Sequence, residues 1–189
     1  MESLFDVGVT SLEWVQSEDP WQYFLRSGEK EFAYLNLRAG PDVLASAETA
    51  DGSWTFKRVG LGKPCIAVRV PDSDTDAAVY RSVLGDGELT LPDGRSYTWK
   101  EDWSDFEAGR AFCDAAGSKV LRFGDLRMKR RRGVPRTQTK LELVEPASGG
   151  QHLPLLACLG MCLWVQGKGG TSWGLLGFLL DLFGRLGGS

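Results

Sequence analysis

The sequence predicts a mainly β fold, a closed or nearly closed antiparallel sheet folded around an apolar helix near the C-terminus. Three observations predict it: evenly spaced short segments of alternating hydrophobicity, turn residues between them, and one uncharged stretch of helical length. The 189 residues are 42% hydrophobic and include 24 glycines, which suits one core and many turns. We expect one domain in residues 1–166, then a glycine-rich linker and a short apolar C-terminal helix in residues 167–189.

The first fifty residues are acidic and mixed in pattern. Residues 19–22 (DPWQ) have the features of a helix start, with Asp as the cap, Pro at the first helical position and Gln able to close a capping box. Gly28 would end this short helix. The period then changes to two, which predicts strands at residues 32–37 and 43–49.

The middle of the chain has the clearest strand pattern. Residues 53–59 place Trp54, Phe56 and Arg58 on one face. Residues 92–95 (PDGR) predict a hairpin turn, because Pro presets φ and Gly accepts the positive φ that the turn needs. The other predicted strands are residues 65–70, 78–84, 88–91, the strand of Tyr97 and Trp99, and residues 111–114, 119–123 and 137–144, the last with Thr139, Leu141 and Leu143 on one face.

An apolar helix is predicted at residues 153–165, thirteen positions without a charge. A helix that is apolar on every face must be buried, either in protein or in lipid. It would be about 20 Å long, whereas a membrane crossing takes ~20 residues. The length therefore favours a core helix that the strands can surround.

A second apolar stretch, residues 172–186, contains only Asp181 and Arg185 as charges, and these can pair at i and i+4 on a helix. Three interpretations stay open: packing on its own domain, contact with a partner or second copy, or a place in a membrane interface. Its candidate contact residues are Trp173, Phe178 and Phe183.

Residues 51–58 (DGSWTFKR), 64–70 (PCIAVRV) and 87–99 (GELTLPDGRSYTW) resemble bacterial members of the tubby C-terminal-like superfamily, which includes phospholipid scramblases and the plant LURP-one-related proteins. The strand pair in residues 112–123 and the helix at 153–165 also fit, so the resemblance covers about residues 30–166.

This resemblance implies a closed barrel of about twelve antiparallel strands that encloses a central apolar helix. Tubby proteins bind phosphoinositides through basic side chains, and scramblases act at membranes. No lipid-binding motif of the family aligns with this chain residue by residue. Residues 167–189, which continue past the helix, also depart from the family pattern.

The strongest local charge feature is a run of cations with no acid between residues 126 and 141, in which Lys140 comes last. Basic clusters gain about 1 kcal/mol per cation near an anionic membrane surface. A solvated loop between two strands is the alternative interpretation. The candidate ligands for acidic lipid headgroups are Arg127, Lys129, Arg130, Arg131, Arg132 and Arg136.

Nucleic acid is not an expected partner, because the net charge is −3 and no aromatic residue interleaves with the basic run. No assembled catalytic site is predicted either. Residues 170–174 match the G-x-S-x-G string around Ser172, but this chemistry needs a strand that ends at the serine and a histidine after it. Here a glycine linker precedes Ser172, and the only histidine, His152, lies upstream.

The metal-binding patterns are incomplete, so we expect no metal and no cofactor. Cys158 and Cys162 share one helix face, but a zinc site takes four ligands and His152 is the only histidine. The four scattered cysteines are interpreted as reduced residues of a cytoplasmic protein. A calcium loop would need Gly at its sixth and Glu at its twelfth position, and both are missing after the alternating acids Asp72, Asp74 and Asp76.

The sequence therefore favours a non-enzymatic binding or scaffold domain, cytoplasmic and peripheral to a membrane, that recognises anionic phospholipid headgroups. The alternative is a protein-interaction module that docks on a partner or on a second copy through residues 172–186.

Overall fold

The computed structural model describes residues 1–6, 11–38, 43–60, 65–83, 86–104, 107–125, 138–144 and 150–168. This part of the chain contains one α-helix, α1 (Leu153–Lys168), and short 3-10 helices at Leu4–Asp6 and Gly150–His152. The strands are β1 (Ser11–Gln16), β2 (Gln22–Ser27), β3 (Lys30–Asn36), β4 (Val43–Thr49), β5 (Gly52–Val59), β6 (Cys65–Arg69), β7 (Asp76–Val83), β8 (Asp86–Thr90), β9 (Ser96–Ser104), β10 (Glu107–Cys113), β11 (Lys119–Asp125) and β12 (Gln138–Leu143).

The twelve strands form a closed antiparallel barrel, in which each strand pairs with its neighbours in the chain. The ladder between β1 and β12 closes the barrel, with Leu12 opposite Leu141 and Trp14 opposite Thr139. The predicted fold class, an antiparallel barrel with an apolar C-terminal helix, is confirmed.

Alternating side chains of the strands fill the barrel. Phe56 lies opposite Val68, which in turn lies opposite Ala78, and all three are buried. Because residues directly opposite in an antiparallel pair point to the same face, such rows run around the inner wall. Trp99 and Phe112 form one of these rows, and their ring centroids lie 4.8 Å apart.

Helix α1 lies inside the barrel. Every residue from Leu153 to Trp164 is buried, so no face of the helix meets solvent over this length. The helix contacts β3, β4 and β5 as well as β10 and β11, strands on opposite sides of the barrel. Gly160 lies against the rings of Phe112 and Phe123. Trp164 stacks on Phe123, with the two ring centroids 6.4 Å apart. The helix starts where the sequence predicts and extends three residues beyond the predicted end at 165.

The described ranges contain no helix with the length and apolarity that a membrane crossing requires.

The barrel has two ends, which we call the proximal and the distal mouth. The proximal mouth is the end at which α1 begins, and it carries the turns at Ala50–Asp51, Leu91–Arg95 and Asp114–Ser118. The distal mouth is the opposite end, where β9 and β11 finish and β12 starts, at Ser104, Asp125 and Gln138. Since Trp164 reaches Phe123 near the end of β11, α1 runs from the proximal to the distal mouth.

The β8–β9 hairpin turn is confirmed at the predicted residues. The amide of Gly94 donates to the carbonyl of Leu91 at 3.1 Å, and the amide of Leu91 donates to Arg95 at 2.9 Å. Gly94 has φ +83°, the left-handed conformation for which glycine is suited.

The helix predicted to start at Asp19 and end at Gly28 is wrong, because the structure has strand β2 there. The Asp19 carboxylate does accept a hydrogen bond from the amide of Trp21, at 2.9 Å, and another from the side chain of Gln22, at 3.1 Å. These bonds close a turn between β1 and β2. Tyr23 and Leu25 then alternate into the barrel and are buried, which favours strand over helix.

Candidate functional site

The residues predicted from the sequence to contact a ligand or partner lie outside the described residues. These are the cations Arg127, Lys129, Arg130, Arg131, Arg132 and Arg136, the apolar contacts Trp173, Phe178 and Phe183, and the predicted short C-terminal helix with Ser172. The structure defines the points on the barrel to which both segments are joined.

Both segments are joined to the distal mouth. Asp125, the last residue of β11, lies opposite Thr139 in β12, so the basic run begins and ends on adjacent strands at this end. Helix α1 finishes at Lys168 after running the length of the barrel, and the apolar C-terminal stretch follows it.

The distal mouth also carries exposed aromatic side chains. Trp103, near the end of β9, is 72% exposed, more than any other large hydrophobic residue described. Trp21, between β1 and β2, is 37% exposed, and the Arg38 guanidinium lies 3.6 Å from its ring centroid. The cation–π contact covers Trp21 in part, whereas most of the Trp103 side chain is open to solvent.

The β9–β10 hairpin that carries Trp103 extends beyond the adjacent strand β8, since the β8–β9 ladder begins with Gly87 opposite Trp99. On the inner side of the hairpin, Arg110 pairs with Asp86 at 2.7 Å, and its guanidinium lies 5.5 Å from the Trp99 ring centroid. This contact ties the hairpin to the barrel next to its base.

A charged network supports the outer side of the same hairpin. Asp102 pairs with Arg122 at 2.6 Å and with Lys119 at 2.9 Å. Arg122 also reaches Glu142, at 3.5 Å, and its side chain is only 7% exposed. Gly109 leaves room for it, because a Cβ at that position would lie 3.0 Å from a guanidinium nitrogen of Arg122.

Lys140 belongs to this network. It forms an ion pair with Glu142, and hydrogen bonding to Lys140 is the main cause that lowers the pKa of the Glu142 carboxyl. The sequence places Lys140 at the end of the basic run, but in the structure its charge is engaged on the barrel wall. This leaves the six cations at 127–136 as the candidate headgroup ligands.

The proximal mouth has a different feature, a cleft of about 290 Å³ beside the start of α1. Its wall is mainly apolar, with Asp93 and His152 as its titratable groups. The lining residues are Trp54, Ala77, Leu91, Pro92, Asp93, Gln151, His152 and Leu155.

His152 lies at the edge of this cleft, and its side chain is 13% exposed. Its Nε2 atom is buried and lies 3.8 Å from Asp93 Oδ2, which is too long for a hydrogen bond. Desolvation, together with the nearby Arg95 cation, lowers the pKa of the imidazole. The imidazole ring also makes an edge contact with the Tyr97 ring, with the two ring centroids 6.2 Å apart.

Cys158 and Cys162 lie in the interior on α1, where burial raises the pKa of the Cys162 thiol to about 12 and also raises that of Cys158. Among the described residues, no cluster of three or more His, Cys, Asp or Glu side chains could hold a metal ion. Asp76, one of the alternating acids, pairs with Arg69 at 2.7 Å.

The chain matches no protein-family model, no curated protein and no solved structure.

Sequence reasoning missed Trp103 and the contacts that hold its hairpin. A signal was present, since Tyr97, Trp99 and Trp103 continue one period-two row past the length of the preceding strand. The partners Asp102 and Arg122 are twenty positions apart, and nothing in the sequence pattern connects them.

Proposed function

We propose that this protein is a binding domain that recognises anionic phospholipid headgroups at a membrane surface through its distal mouth. The observation that carries the proposal is the common attachment of the basic run and the apolar C-terminal stretch to that mouth. Asp125, Gln138 and the end of α1 are the described residues that fix these attachments.

Headgroup binding needs cations and apolar side chains that can face the same surface. The six cations between β11 and β12 supply positive charge, and residues 172–186 supply apolar side chains. A chain with net charge −3 is not attracted to an anionic surface as a whole, so it must present a local positive face. Attachment of both segments at one end meets this requirement.

At about 1 kcal/mol per cation near an anionic leaflet, loss of two cations lowers vesicle affinity roughly thirtyfold. Exposed charges are screened by salt, so the binding should weaken as ionic strength rises.

Co-sedimentation with phosphatidylcholine vesicles, with and without phosphatidylserine, tests the proposal at low and high salt. We expect binding that requires phosphatidylserine and declines with salt. The double variant Arg130→Gln/Arg131→Gln should lose most of this phosphatidylserine-dependent binding. Equal binding to both kinds of vesicle would refute headgroup recognition.

A matched control removes two cations from the other end of the barrel. Lys30 begins β3 and Arg95 ends the β8–β9 turn, both at the proximal mouth. The variant Lys30→Gln/Arg95→Gln has the same net charge as the test variant and should keep its vesicle affinity within about twofold. If both variants lose affinity equally, overall charge and not the distal mouth governs binding.

Deletion of residues 171–189 distinguishes lipid binding from the alternative function, a protein-interaction module. An oligomer in light scattering that becomes a monomer on deletion, with no vesicle binding before or after, would favour the protein-interaction module and contradict lipid binding.

A further inference from the structure

The hairpin of β9 and β10 presents an apolar side chain at the distal mouth that the fold does not use. Trp103 is 72% exposed, although tryptophan is among the side chains with most to gain from burial. It continues the inward-facing row of Tyr97 and Trp99 but stands beyond the first β8–β9 pair, where the barrel wall has ended on that side. Its exposure therefore follows from the greater length of β9 compared with β8.

The base of the hairpin is held on both of its faces. Arg110 ties the inner face to Asp86, and Asp102 ties the outer face to Lys119 and Arg122. Because the backbone that carries Trp103 is already held in place, binding orders little additional chain. The entropic cost that is subtracted from the gain in apolar contact is therefore small.

The carboxylates next to Trp103 have cations beside them. Asp102 is in ion pairs, and Glu101 lies opposite Arg110 in the β9–β10 ladder. Asp105 and Glu107 follow in the sequence, so an anionic surface repels the hairpin unless the basic run outweighs them. A contact made by Trp103 should therefore depend on the apolar boundary of a bilayer and not on headgroup charge.

We propose that Trp103 is a membrane anchor, which inserts its indole at the boundary between headgroups and acyl chains when the distal mouth meets a bilayer. This inference rests on the proposed function and names how the same end of the molecule engages its partner. Tryptophan is enriched at this boundary in membrane proteins because its ring is apolar and its N–H is polar.

Fluorine NMR on the full chain labelled with fluorotryptophan tests the anchor. The resonance of Trp103 among the seven tryptophans is assigned by its loss in Trp103→Phe. Vesicles that carry a paramagnetic group on the headgroup should broaden this resonance. The resonances of Trp14 and Trp99, which are buried in the barrel, serve as internal controls and should be unaffected.

Binding of Trp103→Ala to vesicles gives the second measurement. We expect affinity to fall about tenfold or more, from the loss of buried indole area, while the dependence on salt stays that of the unaltered protein. The variant Val70→Ala removes an exposed apolar side chain at the proximal end of β6 and should bind normally.

The two proposals fail differently. If vesicles containing phosphatidylserine bind the protein but the Trp103 resonance does not change and Trp103→Ala binds normally, the anchor is refuted and headgroup recognition stands. If the Trp103 resonance broadens equally with neutral and anionic vesicles and salt has no effect, the anchor is supported and headgroup recognition is refuted. Absence of binding to either kind of vesicle overturns both.

Discussion

The ring of Phe123 occupies the space that a Cβ atom on Gly160 would need, so the central helix meets the barrel wall here through a residue without a side chain. Phe123 is fully buried and is also in contact with the rings of Trp99 and Trp164, which leaves it no free volume in which to turn aside.

Gly160→Ala should therefore destabilise the protein. An added methyl group in a packed core costs about 1–3 kcal/mol, and the better helix propensity of alanine returns about 1 kcal/mol of this. Because the Phe123 ring has little room to move, we expect a net loss near the upper end of the difference, about 2 kcal/mol in the free energy of unfolding, measured by chemical denaturation. Gly167→Ala is the matched control, because a Cβ there meets no atom within 4 Å, and its stability should be equal or higher. Equal stability of the two variants would show that the Phe123 ring can move.

The buried guanidinium of Arg122 gives the second prediction. Arg122→Met keeps much of the aliphatic part of the side chain but removes the guanidinium that pairs with Asp102, which is mostly buried and also pairs with Lys119. Loss of one partner of a buried pair costs about 3–5 kcal/mol, and since Lys119 still neutralises part of the charge we expect about 2 kcal/mol. Lys30→Ala removes a cation from an exposed pair with Glu2 and should change stability by less than about 0.5 kcal/mol.

One result would contradict a stabilising role for the Asp102–Arg122 pair. If Arg122→Met unfolds at the same denaturant concentration as the unaltered protein, the network on β9, β11 and β12 adds no stability. The double variant Asp102→Asn/Arg122→Met should recover part of the loss, because it also removes the buried carboxylate charge that Arg122 compensates.

The third prediction concerns the pH dependence of the free energy of unfolding that is due to His152. Burial and Arg95 lower the pKa of His152 in the folded chain, so the unfolded chain takes up a proton first as the pH falls. This histidine's contribution to stability is therefore fully present above its unfolded pKa of about 6.5 and is lost as the pH falls through the lower folded pKa. Because the chain has one histidine, the ring proton signals of His152 in an NMR titration measure this directly.

The variant His152→Asn should remove this part of the pH dependence and leave the acid unfolding that is due to carboxylates. A His152 midpoint at or above that of an unfolded histidine would contradict the prediction.

The fourth prediction concerns the thiols. Cys113, Cys158 and Cys162 are buried and have raised pKa values, whereas Cys65 is partly exposed at the start of β6. At mildly alkaline pH a thiol reagent should label Cys65 rapidly and the other three only after denaturation, since reaction requires an accessible thiolate. Cys65→Ser should abolish the rapid phase. Rapid labelling of Cys158 or Cys162 would contradict the placement of α1 within the barrel.

Most of the barrel could be predicted from sequence because its strands alternate with period two around one interior. The pattern was insufficient at β1 and β2. Leu12 and Trp14 give β1 only two inward positions, and its strand state is decided by pairing with β12, far along the chain. At Asp19 the same hydrogen bonds that cap a helix close a turn instead, and local chemistry cannot separate these outcomes.

The candidate site was less predictable than the fold. The basic run and the apolar C-terminal stretch are visible in the sequence, but their attachment to the same mouth depends on the direction of β11, β12 and α1 in the closed barrel. The exposure of Trp103 depends on where β8 begins opposite β9. This is set by the register of the two strands, which the amino-acid pattern of β9 does not reveal.

Helix α1 follows all twelve described strands in the chain and yet forms the centre of their core. The strands are therefore synthesised before the helix on which they pack. While the ribosome still holds the last residues, the nascent strands have nothing to enclose and must leave their inner side chains open to water or to a chaperone. We therefore expect a stable fold to form only after α1 has been synthesised. A message truncated in that region should yield a product that proteases remove.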